Sequence, residues 1–259
     1  MVEQARVEGD ARVASDAKGQ AHALTSLGLA HQQAGRSGVA AEHFRRALVL
    51  FRQEGDLAGE ARALNNLGVA EARLGRNRRA VERYALSLSV FRQAGHEAGE
   101  AWALTNLGVV TGKLGSHEPA CGHVRQALSL FRRLGDRTGE AWALTSLGEI
   151  EGKSGRREQA ADHLQQALSL YRRLGNHLGE AWALNSLGTV HTSADRHREA
   201  LALFREIAER HGEASALNGL GEAARAAGDP ATALVHHRAA LAITVDVDLR
   251  DEQARAHSG

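Results

Sequence analysis

Apolar and polar positions follow a helical period along this chain, and the pattern itself returns at a fixed interval. Between Ala141 and Ser154, at about 100° per residue, Ala141, Ala143, Leu144, Leu147, Gly148, Ile150 and Ser154 share one nearly apolar arc. Trp142, Thr145, Ser146, Glu149, Gly152 and Lys153 share the other. The pair Leu-Gly recurs at 27–28, 67–68, 107–108, 147–148 and 187–188, 40 residues apart each time, and again at 220–221 after 33. Twelve positions after each glycine stands a small residue: Ala40, Ala80, Ala120, Ala160, Ala200 and Ala233. Between the two lies a breaker, Gly35, Gly75, Gly115, Gly155, Asp195 or Gly228. Each block therefore predicts a helix A, a tight turn and a helix B. In the fourth block A covers roughly 140–153 and B roughly 157–173.

Six blocks are expected, at about 19–58, 59–98, 99–138, 139–178, 179–211 and 212–245. From Phe204 to Leu220 the count equals that from Tyr171 to Leu187, so the short block loses its residues between Gly188 and Phe204, in helix B. Seven residues are about two helical turns, and their loss keeps the inward face inward. Residues 11–21, "ARVASDAKGQA", align with 131–141, "FRRLGDRTGEA". Residues 1–18 thus read as the end of an earlier helix B. Residues 246–259 read as a tail or the start of a truncated seventh block.

Composition narrows the class without naming a chemistry. Lysine occurs only at 18, 113 and 153 among many arginines, and the net charge is +1. A balanced charge implies no general attraction to nucleic acid or membrane. Cys121 stands alone, which excludes an internal disulfide and a multi-thiolate metal site. No apolar run approaches the ~20 residues that span a bilayer, and "MVEQARVEGDARV" has no signal-peptide core. A cytoplasmic, bacterial protein is the expectation.

The residues Leu144, Leu147, Gly148, Ala160, Leu164 and Ala167, matched by Leu24, Leu27, Gly28, Ala40, Phe44 and Ala47, resemble the tetratricopeptide repeat (TPR). The resemblance covers about residues 15–245. It implies an all-α fold, a right-handed α-solenoid of helix-turn-helix units. Leucine stands at the family's usual tryptophan site, and most blocks exceed the common length of about 34 residues. The 40-residue form is similar to the C-terminal arrays of bacterial regulators built on STAND-type (NB-ARC) ATPases, and to those of kinesin light chains and cell-polarity adaptors. Those arrays bind proteins, so the resemblance implies a protein or peptide partner.

In such a stack the A helices line the concave side, and the polar arc becomes a groove. One column of that arc reads His22, Arg62, Trp102, Trp142, Trp182 and Ser215, and so holds all three tryptophans of the chain. The next columns read Thr25, Asn65, Thr105, Thr145, Asn185, Asn218 and Ser26, Asn66, Asn106, Ser146, Ser186, Gly219. A further column carries Arg73, Lys113 and Lys153. Carboxamides and hydroxyls can bond an extended peptide backbone, tryptophan offers an anchoring face, and the cations can hold a carboxylate. Asparagine ladders of this kind are peptide contacts in related arrays, and Asn65, Asn66, Asn106, Asn185 and Asn218 fit that pattern. The bland alternatives stand beside this reading. Each tryptophan can pack on the neighbouring repeat, the Thr and Ser positions can serve simply as small packing residues, and Glu149 with Lys153 can be an i,i+4 ion pair worth about 0.3 kcal/mol.

Other motifs carry less. "GEIEGKS" at 148–154 has three residues between its first glycine and Gly-Lys-Ser, where a phosphate-binding loop needs four, and it lies inside a repeated helix. The histidines include no His-Glu-x-x-His and no grouping with Cys121, so no metal or other cofactor is expected. No acid, base and nucleophile converge, so no enzyme is expected. The expected role is a protein-binding regulatory array, with a partner on another chain or in another domain of the same chain and no direct nucleic acid. An autoinhibitory clamp and a scaffold that self-associates through its terminal repeats are the alternatives.

Overall fold

A computed structural model describes the backbone of residues 2–256 and the side chains of residues 17–245. Its twelve helices are α1 (Val2–Gln33), α2 (Ser37–Gln53), α3 (Leu57–Arg73), α4 (Asn77–Gln93), α5 (Glu97–Lys113), α6 (His117–Leu134), α7 (Arg137–Lys153), α8 (Arg157–Leu174), α9 (His177–His191), α10 (Ala194–Glu206), α11 (Arg210–Ala226) and α12 (Pro230–Ala256). No strand occurs among the described residues. Two units make up the chain, Met1–Leu130 and Phe131–Gly259. In the first, α1 packs on α2, α2 on α3, α3 on α4 and α4 on α5; in the second, α7 through α12 pack in the same consecutive way. Alternate helices also touch, α1 with α3 and α3 with α5, then α7 with α9 and α9 with α11. The fold class is an α-solenoid of helix pairs, in which odd-numbered helices are A and even-numbered ones are B.

Glycine ends the helices where the sequence places it. Gly35, Gly75, Gly115, Gly155 and Gly228 close A helices with φ of 73–88°, a left-handed geometry that side chains disfavour. Within a pair, the Leu-Gly glycine lets helix B approach. A Cβ on Gly148 would lie 2.6 Å from Leu164 Cγ and 3.0 Å from the Ala160 carbonyl oxygen, and one on Gly108 would lie 2.9 Å from that of Ala120. The small residue twelve positions later is therefore the other half of the same close contact.

The joint between blocks has its own logic, visible in "FRRLGDRTGEA". Asp136 caps α7, its carboxylate accepting from the Gly139 N–H at 2.8 Å; Asp56, His96 and Asn176 cap α3, α5 and α9 in the same manner. The ring of Phe131 lies where a Cβ on Gly139 would sit, 2.3 Å away, so only glycine fits there. Arg132 Nε then donates to Glu140 Oε1 at 2.8 Å, and Arg52–Glu60, Arg92–Glu100, Arg172–Glu180 and Arg205–Glu213 repeat this pair at 2.7–2.9 Å. The doublets Arg132-Arg133 and Arg172-Arg173 thus supply one arginine each to a staple on the next A helix.

Three boundaries differ from the sequence reading. The short block breaks at Thr192, with φ 53°, and Ser193 caps α10; Asp195 lies inside that helix. The missing residues come from both helices, since α9 has 15 residues against 17 in α7, and α10 has 13 against 18 in α8. Helix α1 continues through Ser15 and Asp16 without the expected turn, because Ser15 replaces the glycine that takes positive φ at Gly135. Helix α12 likewise continues to Ala256, with Asp248 at the corresponding place. The side chains of both terminal segments lie outside the described residues.

Candidate functional site

Each unit has a groove on its A-helix side, and the expected columns meet these grooves unevenly. The groove of the first unit encloses about 410 Å³ and is lined by His22, Thr25 and Ser26 of α1, Arg62, Asn65 and Asn66 of α3, and Trp102 of α5. Asn106 Nδ2 donates to Asn65 Oδ1 at 3.1 Å, joining α5 to α3 and orienting the Asn65 amide. Arg62 is exposed at the rim, and Trp102 is half-buried. Phe51, Phe91 and His96 also line this groove and were missed. They belong to a B helix or a joint, which a wheel drawn on helix A does not reach.

The groove of the second unit encloses about 440 Å³, between α7, α8, α9 and α11. Trp182, Asn185 and Ser186 of α9, Lys153 of α7 and Ser215 of α11 line it, with Arg157 and Glu149 at its edge. Trp182 meets Phe204 edge to face, with ring centroids 5.0 Å apart, and presents its remaining surface to the groove. Ser186 Oγ donates to Glu149 Oε1 at 2.9 Å. Lys153 makes no hydrogen bond or ion pair among the described residues, which leaves its ammonium available beside Arg157. Arg157 was not foreseen, because it begins α8 across the turn from Lys153.

Below the groove floor runs a buried polar chain. His197 is 2% exposed, and its Nδ1 lies 2.8 Å from Asn185 Oδ1. Asn185 Nδ2 donates in turn to Ser215 Oγ at 3.0 Å. With Asn185 Oδ1 as the acceptor, the His197 proton sits on Nδ1. Burial lowers the pKa of this histidine, so the neutral ring is favoured.

Several candidates fall outside the grooves. Thr105 and Thr145 are buried, their Oγ1 atoms donating at 2.9 and 3.0 Å to the carbonyls of Ala101 and Ala141 in their own helices. Ser146 is buried as well. All three are buried and the two threonines have their polarity met in their own helices, whereas the wheel, which knows only angle, put them on the open face. Arg73 donates to the Gln32 carbonyl at 3.0 Å and so ties α3 to α1. Lys113 is exposed but lines neither groove, and Asn218 Oδ1 accepts from His237 Nδ1 at 3.0 Å. Trp142, the most open of the three tryptophans at 39% exposure, stands on α7 outside the groove of its unit. The lysine of "GEIEGKS" is the last residue of α7, so that segment is helix and no phosphate loop. Among the described residues no three potential metal ligands cluster, and no helix is long and apolar enough to cross a membrane.

Helix pairs with Leu-Gly on A and a small residue on B define a class, the helical-repeat proteins. Within it, family models described as tetratricopeptide repeat match residues 19–93, 99–173, 140–210 and 185–244. The chain belongs to the tetratricopeptide repeat family. No curated protein sequence matches it. Among solved structures it is similar to the apo form of RapI, at 14% identity and TM-score 0.79, over 88% of this chain and 84% of that one. It is also similar to a Rap protein complexed with competence and sporulation factor, at 14% identity and TM-score 0.77, over 89% of this chain and 65% of that one. A STAND protein with a tetratricopeptide repeat sensor from Pyrococcus horikoshii matches at 12% identity and TM-score 0.64, over 97% of this chain but 40% of that one. At these identities the likeness is one of fold.

Proposed function

We propose that the chain is a non-catalytic protein-binding module that takes peptide segments in its A-helix grooves. The observation that carries this reading is the groove of the second unit, where the Trp182 face, the Asn185 and Ser186 side chains and the unpaired Lys153 line one cavity. An apolar side chain would lie on Trp182, and backbone amides would meet Asn185 and Ser186. A carboxylate would sit at Lys153 and Arg157. The first groove, with Trp102, Arg62 and Asn66, would take a second segment. Two similarly folded Rap proteins, one complexed with competence and sporulation factor and one in complex with the Phr* peptide, support the reading. The finer role is the cytoplasmic sensor array of a larger bacterial signalling or transcriptional regulator, supported by the fold likeness to a STAND protein with a repeat sensor. There the same grooves would serve equally as an internal clamp on the regulator's own domains.

Selection of peptides from a random display library against the whole chain, followed by titration of the enriched sequences, tests the core of this. Lys153→Glu and Trp182→Ala should each weaken binding at least tenfold, with helicity unchanged. Trp142→Ala should leave it within about twofold. Equal binding by Lys153→Glu and Trp182→Ala would remove the second groove as the site.

A further inference from the structure

A second surface, on a face of α1 beside the one that lines the first groove, follows from comparing the joints of this chain with one another. Five joints seat an aromatic ring on a glycine: Phe51 on Gly59, Phe91 on Gly99, Phe131 on Gly139, Tyr171 on Gly179 and Phe204 on Gly212. In each, a Cβ on the glycine would lie 2.2–2.3 Å from the ring. The glycine at the same place on α1 is Gly19, and no atom lies within 4 Å of where its Cβ would be. The socket is present without its ring.

The rest of that face is uncovered in the same register. Leu27 is 49% exposed, whereas Leu67, Leu107, Leu147, Leu187 and Leu220, its counterparts, are 1–5% exposed. Ala23 and Ala30 are exposed, while Ala63 and Ala70 on α3 are fully buried. Helix α1 packs on α2 and α3, so the stripe Gly19, Ala23, Leu27, Ala30 is the side on which other A helices receive the preceding B helix. It continues an interface that the chain builds repeatedly.

What covers that interface elsewhere has a fixed signature. The incoming helix brings leucine and, three residues on, an aromatic: Leu48 and Phe51, Leu88 and Phe91, Leu128 and Phe131, Leu168 and Tyr171, Leu201 and Phe204. The chain's own residues at these offsets from Gly19 are Glu8 and Ala11, which supply neither group. Helix α12 carries Leu241 and Thr244 in this register, so a second copy stacked end to end would leave the ring socket empty. We propose that this face of α1 is a docking site for an amphipathic helix of a partner protein that carries Leu-x-x-Phe or Leu-x-x-Tyr on its apolar side. The helix lies along α1, its leucine against Leu27 and its ring on Gly19, as in helix-in-groove recognition. Gln20 replaces the glutamate that staples an arginine at the other joints, so the partner needs no arginine after its aromatic.

A labelled synthetic peptide with the α8 sequence, residues 157–174, is the probe, titrated against the whole chain by fluorescence anisotropy. Saturable binding is expected, weakened at least tenfold when the peptide's Tyr171 becomes alanine. Leu27→Glu and Gly19→Leu in the chain should each abolish it without changing circular dichroism or the melting temperature. Both positions are open, so neither variant threatens folding. Three results would overturn the proposal: no saturation at millimolar peptide, equal binding by both chain variants, or self-association of the chain that Leu27→Glu abolishes and the peptide does not compete. Binding in the Trp182 groove is read separately, since neither variant touches it.

Discussion

Replacing Gly139 by alanine tests the physical account of the joint most directly. The new Cβ would sit 2.3 Å from Cδ1 and Cε1 of Phe131, a ring that is fully buried and cannot swing aside. Gly139 lies in the first turn of α7, where alanine's helix preference recovers at most about 1 kcal/mol. Overpacking costs about 1–3 kcal/mol, and displacing the N-terminal turn also lengthens the Asp136 cap bond, itself worth about 1 kcal/mol. The net expectation is a loss of about 1–3 kcal/mol, or roughly 2–12 °C in melting temperature at about 2–4 °C per kcal/mol. The assay is urea and thermal unfolding followed by circular dichroism. A double-mutant cycle with Phe131→Leu should return at least half of the coupling, because the smaller side chain vacates the space. Gly152→Ala is the contrast: its Cβ would meet Val190 Cγ2 at 3.2 Å with no ring above it, so its effect should stay within about 1 kcal/mol of zero. If Gly139→Ala is neutral or stabilising, or if Phe131→Leu gives no relief, the steric reason for this glycine is wrong.

Other predictions follow from the irregular block and its buried polar chain. Ala208 sits at φ 55°, where Gly55, Gly95, Gly135 and Gly175 occupy the other joints, so Ala208→Gly should stabilise by about 1 kcal/mol, read as a raised urea midpoint. Asn176→Ala removes the cap on the Gly179 N–H and should cost about 1 kcal/mol, whereas Asn176→Asp should cost little. His197 has a folded pKa below the ordinary 6.5, so the unfolded chain binds the extra proton first. Its contribution is therefore complete above pH 6.5 and is lost as pH falls from there toward the lowered folded value. His197→Leu, which follows Leu164 at the matching place, should flatten the stability–pH curve in that window. An unchanged curve would show that His197 is not the group responsible.

Much of the fold was legible because helix packing imposes local, periodic demands. The Leu-Gly pair, the alanine twelve residues later and the turn glycines each answer one steric condition, and a run of blocks repeats the condition until it stands out. The exception shows the limit of the signal: Asp195 looked like the breaker, but the turn fell at Thr192, where no residue type announces positive φ. The joint motif was visible as a string and not as a mechanism. That Glu140 pairs with Arg132, or that Gly139 clears Phe131, depends on how two helices meet across a turn.

For the candidate site, the sequence by itself determined the angle of each side chain around its helix. Trp182, Asn185 and Lys153 are found beside one cavity because that angle is set by the helical period alone. Tertiary structure decided depth and company. Thr105 and Thr145 share the angle of Asn65 but are buried and bonded to their own helices, and Arg73 is engaged by Gln32. Arg157, on another helix, completes a groove it could not be assigned to by any wheel. A helical period fixes direction one residue at a time; whether a given direction opens on solvent, a neighbour or a partner depends on the helices packed alongside, and that is set only when the repeats stack.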